Sequence, residues 1–414
     1  MSNNHHTSEI SETPKPAWPG WSFVILVLLL AFPSFGFIQK YTGLIGVAGY
    51  VAFVAIVFFL IWKFGVRFAP LLRRHFRLAC VLIFAGFAVC FAIVYPIENS
   101  RGLGKSSDRD DGLNLAVTRM ADGQSPYYQH DKFAGPLSVL PGGILLAAPF
   151  VALGNSAYQN LFWLAVFLVC ANWWFKDRAL ALVLLTVPLA LSPAAMYEYI
   201  SGGDMLTNGI YVAVVFLLVM KLCSNPNAAG WLRWICCVLL GVCLASRSNF
   251  PLLLPLFGAA LWQTVGWRQA VIAVVVVGLV EVVITVPFYL HDPAGFTPLL
   301  SRYKLAIVDH AMPWASKAMI GMTALLGILG AWVLLRSSTV DLTRSFFRWC
   351  TLVTLCPMVC AVALSSWISG RLDFAFMNER CGLMYMCFAL FGWGGCLLDE
   401  SVSPGVSGKE STIS

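Results

Sequence analysis

Along most of the chain, apolar residues run on for the length of a membrane instead of alternating with polar ones. Runs at 21–38, 44–62 and 78–94 open the series, and 137–153, 158–175 and 179–193 continue it. About twenty apolar residues carry a helix across the hydrocarbon core of a bilayer. Runs that are apolar on every side suit lipid, where a soluble helix would show one polar face. The pattern predicts an all-α, polytopic integral membrane bundle over residues 21–398. Segments 1–20 and 399–414 are polar and read as disordered cytoplasmic tails. The first lacks the basic start of a cleaved signal peptide.

Charge adds orientation. Only 11% of the residues are charged while 59% are hydrophobic, with mean hydropathy +0.78; a soluble domain carries about 25% charged residues. The net charge of +7 is therefore no argument for a nucleic-acid partner. In a membrane protein, Lys and Arg mark the cytoplasmic loops. Lys63, Arg67, Arg73, Arg74 and Arg77 form the densest such cluster, followed by Lys176 with Arg178, Lys221 with Arg233, Arg268, and Arg336 with Arg344 and Arg348. Between these marks the chain visits the outer face at 96–136, 197–207, 246–249, 291–317 and 369–380.

One run is surplus to that alternation, because three of them separate 96–136 from 197–207. The shortest, 137–153, is broken by Leu140-Pro141-Gly142-Gly143 at its start and by Pro149 near its end. It is expected to be a partial, re-entrant or juxtamembrane helix on the outer side. About twelve crossings and one half-helix follow, with both termini cytoplasmic. The alternative is thirteen crossings with one orientation signal overridden.

The thirteen cysteines fall in or at the edges of apolar runs without CxxC spacing, and read as small helix residues rather than as a disulfide framework or a zinc site. No HExxH, Walker loop or GxGxxG cradle is present. The candidate chemistry lies in the loops assigned to the outer face. Asp108, Asp110 and Asp111 stand within four residues in the first large loop, which also carries Lys132. Glu198 and Asp204 come from the next visit and Arg247 from the third. Arg302, Lys304, Asp309 and His310 follow, then Arg371, Asp373, Glu379 and Arg380. The acid triplet reads either as a solvated loop or as a proton acceptor or metal ligand set. Arg247 interrupts an apolar stretch, where a charge needs a partner or a role unless it snorkels to the surface. Glu281 lies midway along an apolar run and is expected to pair inside the bundle. Carboxylates suit removal of a proton from a hydroxyl, and Arg or Lys suits an anionic phosphate. Together at a lipid boundary they suggest transfer from a lipid phosphate.

The stretch "DRDDGLNLAVTRMADGQSPYY" followed by "GPLSVLPGGILLAAPFVALGNSAYQNLFWL" resembles the membrane-embedded C-type glycosyltransferases, which take a sugar from a polyprenyl-phosphate donor. "ISGGDMLTNGIYVAVVF" is similar to their second outer loop, and "ASRSNFPLLLPLF" to a segment with a basic residue ahead of a Pro-Leu run. "VPFYLHDPAGFTPLLSRYKLAIVDH" resembles the loop that helps bind donor phosphate, and "NERCGLMYMCFALF" the closing Arg-Tyr helix, with Cys381 where Tyr is common. The resemblance implies that one of Asp108, Asp110 and Asp111 is the general base. Spacing to Gly123 favours Asp108; the N-terminal dipole of the following helix favours Asp110 and Asp111 as ionised carboxylates. It further implies that the donor phosphate meets Arg247, Arg302, Lys304 or Arg380, with His310 beside them, and that Lys132 and Asp204 either support the site from behind or help bind the acceptor. Direct attack would invert the anomeric centre. A divalent cation, Mg or Mn, held by the three aspartates belongs to some members of the family and not to others. The acceptor is a glycan, a lipid or a protein. Absence of a retention signal suits a bacterial plasma (inner) membrane. The rival reading is a secondary transporter or flippase for a lipid-linked or sugar substrate, whose charges would lie nearer the midplane.

Overall fold

The computed structural model describes residues 20–100, 109–128, 137–225, 227–300, 309–310, 312–337 and 342–397. Among them there are helices and no strands. In chain order these are α1 (Trp21–Ala31), α2 (Phe35–Arg74), α3 (Phe76–Asn99), α4 (Arg109–Ala121), α5 (Pro141–Ala152), α6 (Gln159–Phe175), α7 (Arg178–Leu191), α8 (Pro193–Ile200), α9 (Met205–Ser224), α10 (Gly230–Leu244), α11 (Leu254–Val265), α12 (Trp267–His291), α13 (Ala315–Leu334), α14 (Leu342–Ser369) and α15 (Leu383–Trp393). By length and composition, six helical stretches among the described residues are fit to cross a membrane, with 21–74 counted as one, and seven if α7 and α8 form one bent span. The protein is a helical membrane protein.

Helix α9 is the axis of the bundle. It is apolar on all sides, so it is buried on nearly all of its length. At about 1.5 Å per residue its 20 residues reach about 30 Å, the thickness of a hydrocarbon core. Gly209 lets α15 close in: a Cβ there would lie 2.4 Å from the carbonyl oxygen of Met384. Small residues serve this purpose between helices in lipid, where dispersion contacts rather than water exclusion hold the helices together.

The bundle has two ends that can be told apart by their residues. At one, Arg73 forms a 2.5 Å ion pair with Asp177, Lys221 lies over the rings of Trp173 and Trp174, and Arg348 donates to the carbonyl of Gly392 at 3.0 Å. At the other, the Ser34 hydroxyl meets that of Ser192 at 2.9 Å, and Gln39 bonds the backbone of Leu372 and Phe374. Within 21–74 the chain climbs to the Ser34 end and returns. It turns at a 3-10 segment, Phe32–Ser34, and at Gly43, whose φ of +69° favours glycine.

Local sequence explains the other breaks. Asp177 caps α7 by accepting from the backbone of Ala179 and Leu180. Ser192 caps α8 through the Ala195 N–H, Pro193 takes the first helical position, and the two helices bend by 91° between them. Helix α5 is only 12 residues, about 18 Å long. Its start bonds to the backbone of Ala245 and Ser246, and the turn after it reaches Tyr95 and Asn114, so both its ends lie at the Ser34 end of the bundle. Glu281 lacks the internal partner expected of it. It is half-buried on α12 and makes no hydrogen bond or ion pair among the described residues. None of the thirteen cysteines forms a disulfide among the described residues.

Candidate functional site

Helix α4 is set in place by its apolar stripe. Leu113, Ala116 and Val117 pack on Ile144 and Ala147 of α5, with Tyr127, Leu137, Val139, Leu140 and Phe296, as a second core separate from that of the main bundle. Asp110 falls on the same stripe, three residues before Leu113, and is 1% exposed. Asp111 is one position round the helix and is exposed.

The buried carboxylate is held on one side only. Its Oδ2 accepts the hydroxyl of Tyr95 and, at 3.4 Å, the amide of Asn99, while its Oδ1 has no hydrogen-bond partner among the described residues. Asn155 fixes the tyrosine by donating to its oxygen at 2.6 Å. Burial pushes the carboxyl up to about 6, with the hydrogen bond from Tyr95 pulling against it and the charge of Asp111 adding to it. The carboxyl therefore lies higher than the helix dipole alone would set it. A dipole at an exposed first turn favours the anion, but withdrawal from water outweighs it here.

A second carboxylate lies beside the first. Glu198, fully buried in α8, faces Arg109 at 3.4 Å and Arg380 at 2.9 Å, and accepts the Met205 N–H at 2.7 Å. Arg380 also donates to the Ser201 hydroxyl at 2.9 Å and lies over the Tyr197 ring, and it takes a left-handed φ of +62°. Non-glycine residues in that region store strain that the surroundings must hold, and such residues gather at functional sites. The chain between α8 and α9 needs its two glycines. Gly202 has φ +72°, and a Cβ there would lie 3.0 Å from Cγ of Asp110; one on Gly203 would lie 2.3 Å from Cδ of Glu198.

The third carboxylate is Asp204, at the start of α9, paired with Arg247; the side chains are 4% and 7% exposed. Asn208 donates to Asp204 at 3.0 Å, and Arg247 donates to the Ser138 hydroxyl at 2.9 Å. Burial alone would raise the Asp204 carboxyl, but Arg247, Arg109 and Asn208 hold it below the usual carboxylate range. Asn160 of α6 closes the group by accepting the Thr207 hydroxyl at 2.5 Å.

The structure therefore brings together Asp110, Asp204, Arg247 and Arg380 of the residues expected from sequence. Arg247 does not snorkel; it is buried in an ion pair. Both it and Arg380 already face a carboxylate, so an incoming anion would have to share them with Asp204 and Glu198. Asp111 is exposed, though its charge reaches Asp110, and His310 is exposed and makes no hydrogen bond or ion pair with the group among the described residues. Asp108, Lys132, Arg302 and Lys304 lie outside the described residues. The divalent cation does not fit the aspartates that are described. Consecutive helical positions diverge by about 100°, and no group of three His, Cys, Asp or Glu side chains among the described residues is disposed to hold a metal.

Two participants were not chosen as site residues from sequence. Glu198 carried a signal, a lone carboxylate in the apolar run "SPAAMYEYI", which lipid would make costly without a partner. Tyr95 carried none, since a tyrosine near the end of a membrane helix looks like an interfacial anchor. No family model matches the chain, and neither a curated protein nor a solved structure matches it significantly.

Proposed function

We propose that the protein is a glycosyltransferase that moves a sugar from a polyprenyl-phosphate donor to an acceptor hydroxyl, with Asp110 as general base. The observation that carries this reading is the state of Asp110. It is buried, oriented through one oxygen by Tyr95 and Asn99, unpartnered at the other, and pushed up to about 6. A base of that strength is ionised at neutral pH and still takes a proton usefully.

In this mechanism the Oδ1 of Asp110 removes the acceptor's proton, and the acceptor oxygen attacks the anomeric carbon. The bond from that carbon to the phosphate oxygen breaks, and polyprenyl phosphate leaves with the electron pair. One displacement inverts the anomeric centre. Arg247 and Arg380 lie close enough to the group to meet the phosphate, and their pairs with Asp204 and Glu198 hold them extended until it arrives. Arg302, Lys304, His310 and Lys132 are the further candidates that the resemblance supplies.

The same reading takes the Ser34 end as the outer face and the Arg73 end as cytoplasmic, because the Lys and Arg clusters gather at the latter. It counts twelve crossings: two within 21–74, then α3, α6, α7 with α8, α9, α10, α11, α12, α13, α14 and α15, with α5 lying at the outer boundary. Both termini are then cytoplasmic, in a bacterial plasma membrane. The 91° break between α7 and α8 is the feature that favours a transporter instead, since transporters use broken helices at their binding sites. The charges, however, stand at one end of the bundle and not at its middle.

The test is sugar transfer from a panel of polyprenyl-phosphate sugars by protein reconstituted in vesicles. Wild type should transfer from one donor class, and Asp110→Asn should lose at least a hundredfold in rate. Full activity in Asp110→Asn, or uptake of a labelled sugar without transfer, would overturn the reading.

A further inference from the structure

A cavity of about 410 Å³ opens between α11, α12 and α13, reaching along α11 from Leu254 at its start to Trp262 near its end. Leu254, Gly258, Trp262, Val271, Val274 and Leu335 are among its walls, and nothing charged is. Volumes of about 300–1,000 Å³ are typical of small-molecule sites, and a void this size is no packing defect. Gly258 keeps it open: a Cβ there would already touch Val274 at 3.1 Å, and anything larger must enter the cavity.

The mouth is basic. Arg336 follows directly on Leu335, and Arg268 stands two residues before Ala270, which also lines the cavity. Gln263 ties the two borders together by donating its side-chain amide to the Leu335 carbonyl. Arg336 lies 3.7 Å from the ring centroid of Trp332 and Arg268 lies 5.5 Å from that of Trp267. Both tryptophans are about half exposed, at 51% and 54%. Neither arginine forms an ion pair among the described residues. An indole beneath a guanidinium at a helix end is the arrangement that sits at the headgroup level of a bilayer.

We propose that this cleft binds one anionic glycerophospholipid, an acyl chain lying among Leu254, Trp262 and Val274 and the phosphate meeting Arg268 and Arg336. The charge argument selects that occupant. A zwitterionic lipid would fill the apolar part equally well and offers the same phosphate, but it brings a quaternary ammonium beside two guanidiniums, whereas an anionic lipid adds no cation and keeps its net charge for both. The proposal does not depend on the reaction proposed above, since none of the residues grouped around Asp110 lines the cleft.

The full-length protein in mixed micelles, with dioleoylphosphatidylglycerol or dioleoylphosphatidylcholine added, gives the test by native mass spectrometry of retained lipid. Wild type should retain one phosphatidylglycerol in preference to phosphatidylcholine. Arg268→Gln with Arg336→Gln should weaken that retention by about 30-fold, each basic residue being worth roughly a factor of five at an anionic surface. Both side chains are exposed, so this variant keeps its fold. Gly258→Leu should reduce retention of both lipids, and Arg73→Gln, at a residue that does not line the cleft, should change nothing. Equal retention of the two lipids by wild type, or unchanged retention in the double variant, would overturn the proposal.

Discussion

Replacing Asp204 by alanine leaves the Arg247 guanidinium buried with no anion opposite it. The pair is almost wholly withdrawn from water, at 4% and 7% side-chain exposure, so solvent cannot take over the role of the lost carboxylate. What remains to Arg247 is the Ser138 hydroxyl at 2.9 Å, and its Nε has no partner among the described residues. Breaking such a pair from one side costs about 3–5 kcal/mol, against about 0–1 kcal/mol for an exposed one. Removing both charges, as Asp204→Leu with Arg247→Met, leaves no stranded ion and should return to within roughly 1–2 kcal/mol of wild type. Unfolding by sodium dodecyl sulfate in mixed micelles, run on wild type, the two single variants and the double, closes a double-mutant cycle. The pH dependence carries the same information with a definite sign. Asp204 is held below the usual carboxylate range, so its contribution is present above the unfolded value and is lost as pH falls through the folded one. Wild type should therefore lose stability in acid more steeply than the uncharged double variant. Single variants that cost less than about 1 kcal/mol, or a double that costs the sum of the singles, would refute the assignment of a buried, uncompensated charge.

Four further outcomes follow from the site and its supports. Tyr95→Phe removes the hydrogen bond that draws the Asp110 carboxyl down, so the acid limb of the transfer rate, expected near pH 6, should move upward; an unmoved limb would contradict Asp110 as the base. Asp110 itself has a raised folded value, so it favours the fold below the ordinary carboxylate range and that contribution is lost as pH rises through about 6; Asp110→Asn should then melt higher than wild type at pH 8, and a lower melting temperature there would speak against the unpartnered oxygen. Gly202→Ala combines a positive φ with contacts near 3 Å to Tyr95, Ala157 and Asp110, and should cost at least about 1–3 kcal/mol in the same micelle assay, no change being the contrary result. Asp177→Ala, which loses two helix-capping bonds, should cost about 1 kcal/mol and exceed Arg73→Ala, whose side chain is 42% exposed; equal losses would mean that the ion pair rather than the cap matters.

How far the sequence leads depends on which physical rule governs each feature. The membrane bundle was legible because hydropathy along a run decides it without reference to any distant residue. The two ends of the bundle were nearly as legible. Lys and Arg avoid crossing, so Arg73, Lys176, Lys221 and Arg348 lie at one end, while Asp110, Glu198, Asp204, Arg247 and Arg380 meet at the other. What sidedness does not determine is pairing. Asp204 and Arg247 are 43 residues apart and Arg380 and Glu198 are 182 apart; their partnership rests on how α8, α9 and α10 converge, which no local pattern encodes.

The three aspartates differ in a way that the sequence also carries. Neither spacing to Gly123 nor the helix dipole depends on which face of α4 is buried. Helical phase does: Asp110 is in register with Leu113 and Val117, and Asp111 is not. The same phase that buries Asp110 raises its carboxyl and leaves one oxygen without a partner among the described residues, at a position that an amphipathic helix would be expected to make apolar. A carboxylate on the apolar stripe of a short surface helix costs stability unless something compensates it, and Tyr95 and Asn99 compensate only half. The unmet half is what a local rule broken without structural return looks like, and it is the ground on which a catalytic role is argued here.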